Sequence, residues 1–284
     1  MRVAVTGAAG KLGREVVREL TFAKHEVRCI DRTEAAGIVA ADLREMSGVK
    51  RCLAGVDAIV HLAAWPTPTS AAGSAVFSDN VLMASNVLFA AAELGIRNVT
   101  VASSQSVLGL AWSAEVVEPD YLPVDEKHPC RPGDVYSLSK QVTEQLSELL
   151  SAQDRIDAKL LRFPVIWDPA EFEGSIAGRL HRPSQGAKSQ WAYVDLRDAA
   201  RAVRLALAVG RPGYEVFNIT SQNVFAAEPA AELVARWYPR LAKSGGLPAD
   251  CTACFDWRAA RDCLGFVCRY RWSVDGIEDL GAAD

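Results

Sequence analysis

Apolar residues alternate between two spacings along the chain, and the alternation begins at the first residues. Compact apolar runs predict strands that are buried on both faces, at 3–6, 27–30, 58–62, 99–102 and 214–219. Between them, apolar residues three and four positions apart predict helices at 11–20, 81–94, 137–150 and 196–209. This regular alternation predicts an α/β protein.

The order of the elements also predicts the architecture. Strand, helix and strand repeated in this way are typical of a doubly wound parallel sheet. After residue 160 the pattern is interrupted by Pro164, Pro169 and Pro183. We therefore predict a larger amino-terminal domain over 1–162 and a smaller, substrate-binding region over 163–284, of which about 192–220 returns to the first sheet.

Composition excludes some partners. The 284 residues are 50% hydrophobic and 23% charged, which allows a sizeable core. A formal net charge of −4 gives no reason to expect nucleic acid, which needs concentrated Lys and Arg. The first apolar run is too short for a signal peptide, and the others fall short of the roughly 20 residues that cross a bilayer. We expect a cytoplasmic protein with no membrane partner.

Seven cysteines, an odd number, are typical of reduced thiols rather than of a disulfide framework. Cys251 and Cys254, followed by Cys263 and Cys268, could also suggest zinc. The segment 255–266 predicts a short helix that ends in a buried turn, so scattered thiols are the preferred interpretation. We expect no bound metal.

Three glycines stand between the first predicted strand and the first predicted helix. A helix start offers N–H groups to a pyrophosphate, and glycine lets the backbone approach it. Glycine also serves ordinary tight turns, so the spacing alone is weak evidence. A Walker-type loop is excluded, because Leu12 stands where a magnesium-binding Ser or Thr is required. The expected contacts with a dinucleotide are Gly7, Ala9, Gly10, Lys11, Leu12 and Gly13.

Asp31 ends the second predicted strand, where a carboxylate of the Rossmann-type fold meets the adenosine ribose. A carboxylate there repels a 2′-phosphate, which favours NAD over NADP. Arg32 follows and could stack on adenine or meet a 2′-phosphate, so NADP stays possible. Taken alone, Asp31 could also be a surface turn residue.

Tyr136 and Lys140 lie four residues apart at the start of a predicted helix, so their side chains share one face. A phenol ionises near about pH 10, and a nearby ammonium favours the phenolate. The same spacing also occurs in amphipathic helices whose lysine merely reaches the surface. The strand at 99–102 runs into Ser103 and Ser104, and ligands bind beyond the carboxyl ends of parallel strands. We expect Ser104, Tyr136 and Lys140 to be catalytic, with the serine orienting the reacting oxygen.

Taken in this order, the residues resemble the extended short-chain dehydrogenase/reductase family, also called the NAD-dependent epimerase/dehydratases. The resemblance covers nearly the whole chain and rests on the glycine loop, Asp31, Asp42, Leu43, 61–64, Asn80, Ser103, Ser104, 136–140, 161–163 and 193–195. It implies that Tyr136 is the acid/base, that Lys140 binds the nicotinamide ribose and lowers the pKa of the tyrosine, and that Ser104 is catalytic. The further cofactor contacts that it implies are Asp42, Leu43, Leu62, Ala63, Ala64, Asn80 and Phe163. It also implies a homodimer through the helices at 81–94 and 137–150.

The chain departs from the nucleotide-sugar members of that family near the substrate. Val165 stands where those members carry an asparagine, and Ser189 stands where they often place an arginine. The short carboxy-terminal region resembles the uronate and sugar dehydrogenases of the family instead. We expect a small sugar-like substrate, although each candidate side chain could equally be core or loop packing. The candidate substrate contacts are Trp65, Ser104, Gln105, Trp112 and Val165.

Three functions stay open at this point. The first is an NAD(P)-dependent oxidoreductase that moves hydride between a substrate carbon and the nicotinamide. The second is an NAD-retaining nucleotide-sugar epimerase or dehydratase, but dehydration needs an acidic pair where Gln105 and Ser106 stand. The third is a dinucleotide-binding regulator without catalysis, which the intact tyrosine and lysine disfavour.

Overall fold

The structure is a computed structural model and describes residues 1–281, so the last three residues of the region expected over 163–284 lie outside the described part. The strands are β1 Arg2–Thr6, β2 Glu26–Asp31, β3 Ile38–Ala40, β4 Ala58–His61, β5 Asn98–Ser104, β6 Asp157–Phe163, β7 Val165–Trp167, β8 Tyr193–Asp195, β9 Tyr214–Asn218, β10 Tyr270–Ser273 and β11 Gly276–Asp279. The helices are α1 Lys11–Phe22, α2 Met46–Leu53, α3 Gly73–Leu94, α4 Val135–Ala152, α5 Ala177–Leu180, α6 Leu196–Ala208, α7 Ala230–Trp237, α8 Pro239–Lys243 and α9 Arg258–Leu264.

Seven strands form one sheet in the order β3-β2-β1-β4-β5-β6-β9. The pairs β3-β2, β2-β1, β1-β4 and β4-β5 are parallel. The strand order reverses between β1 and β4, and sheets of this kind bind ligands at that point, beyond the carboxyl ends of the strands. The predicted α/β fold with a Rossmann-type doubly wound parallel sheet is confirmed.

The chain divides into two compact units. The first comprises Met1–Ser104, Asp134–Leu161 and Ala200–Val216, and it contains α1 to α4. The second comprises Gln105–Gly133, Arg162–Ala199 and Phe217–Asp284, and it contains the two-stranded sheets β7-β8 and β10-β11. Segment 105–133 thus belongs to the second unit although it precedes the boundary expected at residue 162. The substrate-binding role of the second region stays a prediction.

The core of the first unit explains why its strands are continuous apolar runs. Ile30, Ile59 and Val99 of the strands are fully buried, together with Val49 of α2 and Leu88 of α3. Each such side chain contributes about 1.5–3 kcal/mol of burial free energy. A sheet covered on both faces has no polar side, so the strands lack the alternation of a half-exposed sheet.

Helix α3 corrects one expectation from the sequence. It is 22 residues long and, by length and composition, apolar enough to cross a membrane, whereas the sequence predicted no run of that length. In the structure α3 packs against α2 and α4. The side-chain amide of Asn86 donates hydrogen bonds to the carbonyl oxygens of Leu43 and Arg44, both at 2.9 Å. These contacts are typical of a helix packed within a protein core.

The cysteines lie in the described part of the chain as thiols. Burial raises the pKa of Cys254 to about 12, so this group is protonated at neutral pH. The short helix expected at 255–266 is α9, which ends at Leu264 and is followed by Gly265 with a φ of 69°. Within residues 1–281, no group of three or more His, Cys, Asp or Glu side chains is placed to hold a metal ion.

Candidate active site

The loop between β1 and α1 is so closely packed that it requires glycine. At Gly7, whose φ is +71°, a Cβ would lie 2.8 Å from the backbone nitrogen of Ala63. At Gly13 a Cβ would lie 2.1 Å from the carbonyl oxygen of Gly7. The helix begins after Gly10, and no side chain caps it. Backbone N–H groups at such a helix start bind phosphate well, so the loop fits the pyrophosphate of a dinucleotide.

One carboxylate ends β2 and another lies two residues after β3, where the adenosine half of a dinucleotide is expected. The Asp31 carboxylate accepts the backbone N–H of Ala9 at 3.0 Å, which joins the end of β2 to the glycine loop. The Arg44 guanidinium donates hydrogen bonds to both carboxylate oxygens of Asp42, and it holds the pKa of that carboxyl below its usual range. The next residue, Leu43, is buried. The arrangement fits the expected cofactor contacts of these residues, which stay predictions.

Trp65 has a full set of protein contacts in the loop after β4. The Arg32 guanidinium lies over its ring, 4.5 Å from the ring centroid. The indole N–H donates to Asp79 at 3.0 Å, and the backbone N–H donates to the Asn80 side chain at 2.7 Å. The Asn80 amide also donates to the hydroxyl of Ser139 at 3.2 Å. These contacts account for Trp65 without a substrate, so the expected substrate contact stays a prediction.

The turn over 62–64 is held by a buried pair of side chains. The Thr6 hydroxyl oxygen accepts the backbone N–H of Leu62 at 3.2 Å and that of Ala63 at 3.4 Å. The same hydroxyl lies 2.8 Å from Nδ1 of His61. When it donates its hydrogen to Nδ1, the proton of the neutral ring is on Nε2. Burial, and then the charge of Lys140, lowers the pKa of His61 to about 3, so the ring is neutral.

The three predicted catalytic side chains come together in the first unit. Ser104 ends β5, and Tyr136 lies in the first turn of α4 and hydrogen-bonds the serine hydroxyl. The Lys140 ammonium donates to the carbonyl oxygen of Ala102 at 2.8 Å and lies 5.9 Å from the centroid of the tyrosine ring. The helical spacing and the strand end therefore produce the cluster that the sequence predicted.

The electrostatics of this cluster differ from the expectation in one respect. Burial raises the pKa of Tyr136 to about 12, and the hydrogen bond from Ser104 only partly opposes this effect. Burial also lowers the pKa of Lys140 to about 8. Desolvation is therefore the largest influence on the pKa of both groups, and the lowering of the tyrosine pKa by Lys140 that the resemblance implied stays a prediction.

Four predicted residues belong to the second unit. Phe163 is buried, whereas Trp112 and Val165 are exposed. Gln105 directly follows Ser104, is 7% exposed, and leaves its amide nitrogen without a hydrogen-bond partner among the described residues. Such an unsatisfied donor costs roughly 1–3 kcal/mol, so Gln105 is the best supported of these four for a ligand contact.

Two side chains near the cluster were missed at the sequence level. The Asp134 carboxylate caps α4 by accepting the backbone N–H groups of Tyr136 and Ser137, both at 2.9 Å. Glu144 is buried one turn after Lys140. An aspartate before a helix and a carboxylate four residues after a lysine are both recognisable signals.

A model of the NAD dependent epimerase/dehydratase family matches residues 3–220. The chain belongs to this family. The resemblance inferred from the sequence is therefore confirmed, and with it the assignment to the NAD-dependent dehydrogenases and epimerases of the extended type. NAD is the cofactor of the family, and the glycine loop and Asp31 fit it on the contacts described above.

Some relatives of the chain are named for sugar substrates, and others for sterols or oxoalkanoates. Over 173 residues the chain is 33% identical to L-arabinose 1-dehydrogenase (NAD(P)(+)) of Haloferax volcanii. The matched region is 58% of this chain and 66% of the relative, so the chain spans just under two thirds of the length of that relative. Over 252 residues the chain is 24% identical to dTDP-6-deoxy-L-talose 4-dehydrogenase (NAD(+)) of Aggregatibacter actinomycetemcomitans. Here the matched region is 82% of this chain and 88% of the relative. Among solved structures, UDP-N-acetylglucosamine 4-epimerase from Bacillus cereus is similar with a TM-score of 0.70 and 25% identity, over 95% of this chain and 94% of that one.

Proposed function

We propose that the chain is an NAD-dependent oxidoreductase that transfers hydride at a hydroxyl- or carbonyl-bearing carbon of a small sugar-like substrate. The observation that carries this proposal is the hydrogen bond between Tyr136 and Ser104, with Lys140 beside the tyrosine ring. These three groups form one buried cluster at the carboxyl end of a parallel strand, where such sheets bind their ligands. NAD, when bound, accepts or supplies the hydride.

Tyr136 is the acid/base in this proposal. With a pKa of about 12 the phenol is protonated at neutral pH, so it is suited to donate its proton to a carbonyl oxygen when the carbon is reduced. In the oxidative direction the phenol first loses its proton to solvent, and the phenolate oxygen then takes the proton of the substrate hydroxyl as hydride leaves the carbon. Ser104 holds the reacting oxygen, and the Lys140 ammonium stabilises negative charge on the phenolate.

The substrate class is supported by Gln105 and by the relatives. The unsatisfied amide donor of Gln105 favours a substrate that carries an oxygen acceptor. The relatives described above are dehydrogenases of a free sugar and of a nucleotide sugar. Val165, an apolar residue where nucleotide-sugar members of the family carry an asparagine, favours a substrate without the nucleotide.

An epimerase that retains NAD is the second candidate. It is favoured by the similarity over almost the whole chain to the UDP-N-acetylglucosamine 4-epimerase from Bacillus cereus. Such an enzyme uses the same tyrosine and returns the hydride to the same carbon. It predicts NAD that copurifies with the protein and no net formation of NADH.

The test is a screen of the purified protein with NAD and NADP against free sugars, uronates and nucleotide sugars. We expect net reduction of NAD with a free sugar or uronate, and a loss of at least about a hundredfold in turnover for Tyr136→Phe, because general acid–base catalysis contributes on that scale. Tyr121→Phe, which removes a phenol bonded to Asp125, is the matched control and should keep full turnover. Full turnover by Tyr136→Phe would refute the mechanism, and epimerised product without NADH would favour the second candidate.

We further propose a homodimer through α3 and α4. The exposed apolar side chains Leu82 and Phe89 lie two turns apart on α3, and Leu138 and Leu149 lie three turns apart on α4. A second copy of the chain could bury both faces. The cytoplasmic location expected from the sequence stays a prediction.

A further inference from the structure

A buried carboxylate lies on α4 one helical turn after Lys140 and two turns after Tyr136. Glu144 is 4% exposed and follows Lys140 by one turn of α4. The hydroxyl of Ser103, also buried, donates a hydrogen bond to Glu144 at 2.6 Å. The Lys140 ammonium donates to the carbonyl oxygen of Ala102. Two adjacent residues of β5 are therefore bound to two residues one turn apart on α4.

Charges at this depth need compensation. A buried ammonium or carboxylate loses its hydration, and it stays ionised only if hydrogen bonds and an opposite charge replace the water. Burial lowers the pKa of Lys140 to about 8, and the Glu144 carboxylate acts in the opposite direction by raising it. Without this carboxylate, the lysine would lose its proton at a lower pH than it does now.

The other titratable groups around Lys140 do not supply that negative charge. His61 on β4 is neutral, and the Tyr136 phenol is protonated at neutral pH. The remaining carboxylates of the helices packed here have contacts elsewhere or are exposed: Asp79 with Trp65 and Arg44, Glu93 with Lys50, Asp134 at the start of α4, and Glu148 on the surface.

We propose that Glu144 is a positioning residue, whose carboxylate is the counter-charge that keeps the buried Lys140 protonated and whose bond to Ser103 holds the end of β5 that carries Ser104. The role of Lys140 in turnover rests on the proposed function. The counter-charge role of Glu144 does not, because it is argued from the burial of both side chains one turn apart on α4.

Glu144→Gln separates charge from packing, since the amide oxygen can still accept the Ser103 hydrogen bond. The probe is acetic anhydride, which acylates the neutral amine of a lysine but not its ammonium. Peptide mass spectrometry measures the labelling of Lys140 between about pH 6 and about pH 10 in protein without added NAD. We expect the midpoint of the labelling curve to fall by about one pH unit in Glu144→Gln. Glu148→Gln, on the same helix but exposed, should match the unmodified protein. Superimposable curves for Glu144→Gln and the unmodified protein would overturn the proposal.

A second variant separates the charge of Glu144 from its hydrogen bond with Ser103 of β5. Ser103→Ala removes the hydrogen bond but keeps the carboxylate, so its labelling midpoint should stay within a few tenths of a pH unit of the unmodified protein. If Glu144→Gln fails to fold by circular dichroism, Glu144→Asp, which keeps the charge, replaces it and should retain the original midpoint. If the midpoint falls equally in Ser103→Ala or in Glu144→Asp, packing rather than the carboxylate charge sets the pKa of Lys140. That result would also overturn the proposal.

The labelling result is independent of any substrate, so it stands apart from the proposed function. If no sugar is turned over but the midpoint falls in Glu144→Gln, the counter-charge is supported while the proposed reaction fails. If a substrate is found, the pH above which turnover declines should move down in Glu144→Gln by the same interval as the labelling midpoint. A decline at unchanged pH would show that turnover does not need the protonated lysine that Glu144 maintains.

Discussion

The glycines of the chain differ in what surrounds them. A Cβ at Gly13 would meet three backbone atoms, the Gly7 oxygen at 2.1 Å, the Ala8 Cα at 2.8 Å and the Gly7 carbonyl carbon at 2.9 Å, and none can move without reshaping the loop. At Gly48, inside α2, the nearest heavy atom outside the helix backbone would be 3.7 Å away, which is ordinary contact. Alanine at these two positions therefore has opposite consequences.

We predict that Gly13→Ala weakens NAD binding at least about tenfold, a loss of roughly 1.4 kcal/mol, because α1 can no longer approach the end of β1. Gly48→Ala should leave NAD binding unchanged and stabilise the protein by up to about 1 kcal/mol, since alanine is the better helix former. Calorimetric titration with NAD and thermal unfolding measure the two effects. Equal NAD affinities in the two variants would mean that the close contact is not needed for the site.

The site residues that the sequence predicted best are those whose geometry is local. Tyr136 and Lys140 are one helical turn apart, so their shared face follows from spacing alone. The stacking of Arg32 on Trp65 and the bond between Thr6 and His61 join residues from different strand ends, and no local pattern encodes them. The pKa of Tyr136 depends on burial, which the spacing of two residues does not reveal.

At the scale of secondary structure, the strands that the sequence missed have identifiable causes. β3, β7 and β8 have only three residues each, too few for a periodic pattern. β6 was missed because Lys159 and Arg162 interrupt its apolar run. The Lys159 ammonium is buried and donates to the carbonyl oxygens of Arg211 and Gly213, so a strand of the core accommodates a charge through partners far along the chain.

Helix α3 starts eight residues before the predicted 81–94 for a similar reason. Its first turn follows Ala72, and no side chain caps it, so the sequence offers no start signal. The residues from Pro66 to Gly73 have the composition of a loop, so the sequence does not predict the first turns of α3. Helix α3 presents three exposed large apolar residues, Leu82, Phe89 and Leu94, and it packs against α4, which has exposed apolar residues of its own.

The exposed face of these two helices leads to a prediction about assembly. We expect the protein to sediment as a dimer, and Phe89→Glu combined with Leu149→Glu to convert it to a monomer, because a carboxylate buried in an apolar contact costs several kcal/mol. Phe22→Glu is the matched control, since Phe22 at the end of α1 is still more exposed but lies on another helix. Analytical ultracentrifugation measures all three proteins. A monomeric unmodified protein would contradict the proposed homodimer.

At the scale of the whole molecule, the two compact units are interleaved along the sequence. The chain leaves the first unit directly after Ser104 and returns to it at Asp134, two residues before Tyr136. Apolar spacing along the sequence predicts the elements but not which elements pack together. A single boundary at residue 162 therefore does not describe two units that each consist of three segments. The catalytic residues of the first unit therefore flank a segment of the second in the sequence.

The protonation of His61, which ends β4, affects the stability of the fold. Its pKa is lowered to about 3 in the folded protein, against a usual value of 6.5. Below pH 6.5 the unfolded chain takes up a proton that the folded chain does not, so this contribution to stability is complete above that pH and is lost as the pH falls. The physical cause is burial, and a proton on Nδ1 would also break the hydrogen bond from Thr6.

We therefore predict that the free energy of unfolding falls by about 2 kcal/mol between about pH 7.5 and about pH 5 on account of His61 alone. His61→Gln should lose this part of the pH dependence, whatever its stability at neutral pH, because glutamine does not titrate. His181→Gln is the matched control, since His181 is exposed and its replacement should leave the pH dependence intact. Urea unfolding of the three proteins at the two pH values measures the differences. If His61→Gln and the unmodified protein lose the same free energy on acidification, the buried ring is not kept neutral by the fold, and the hydrogen bond from Thr6 to Nδ1 must be reversed.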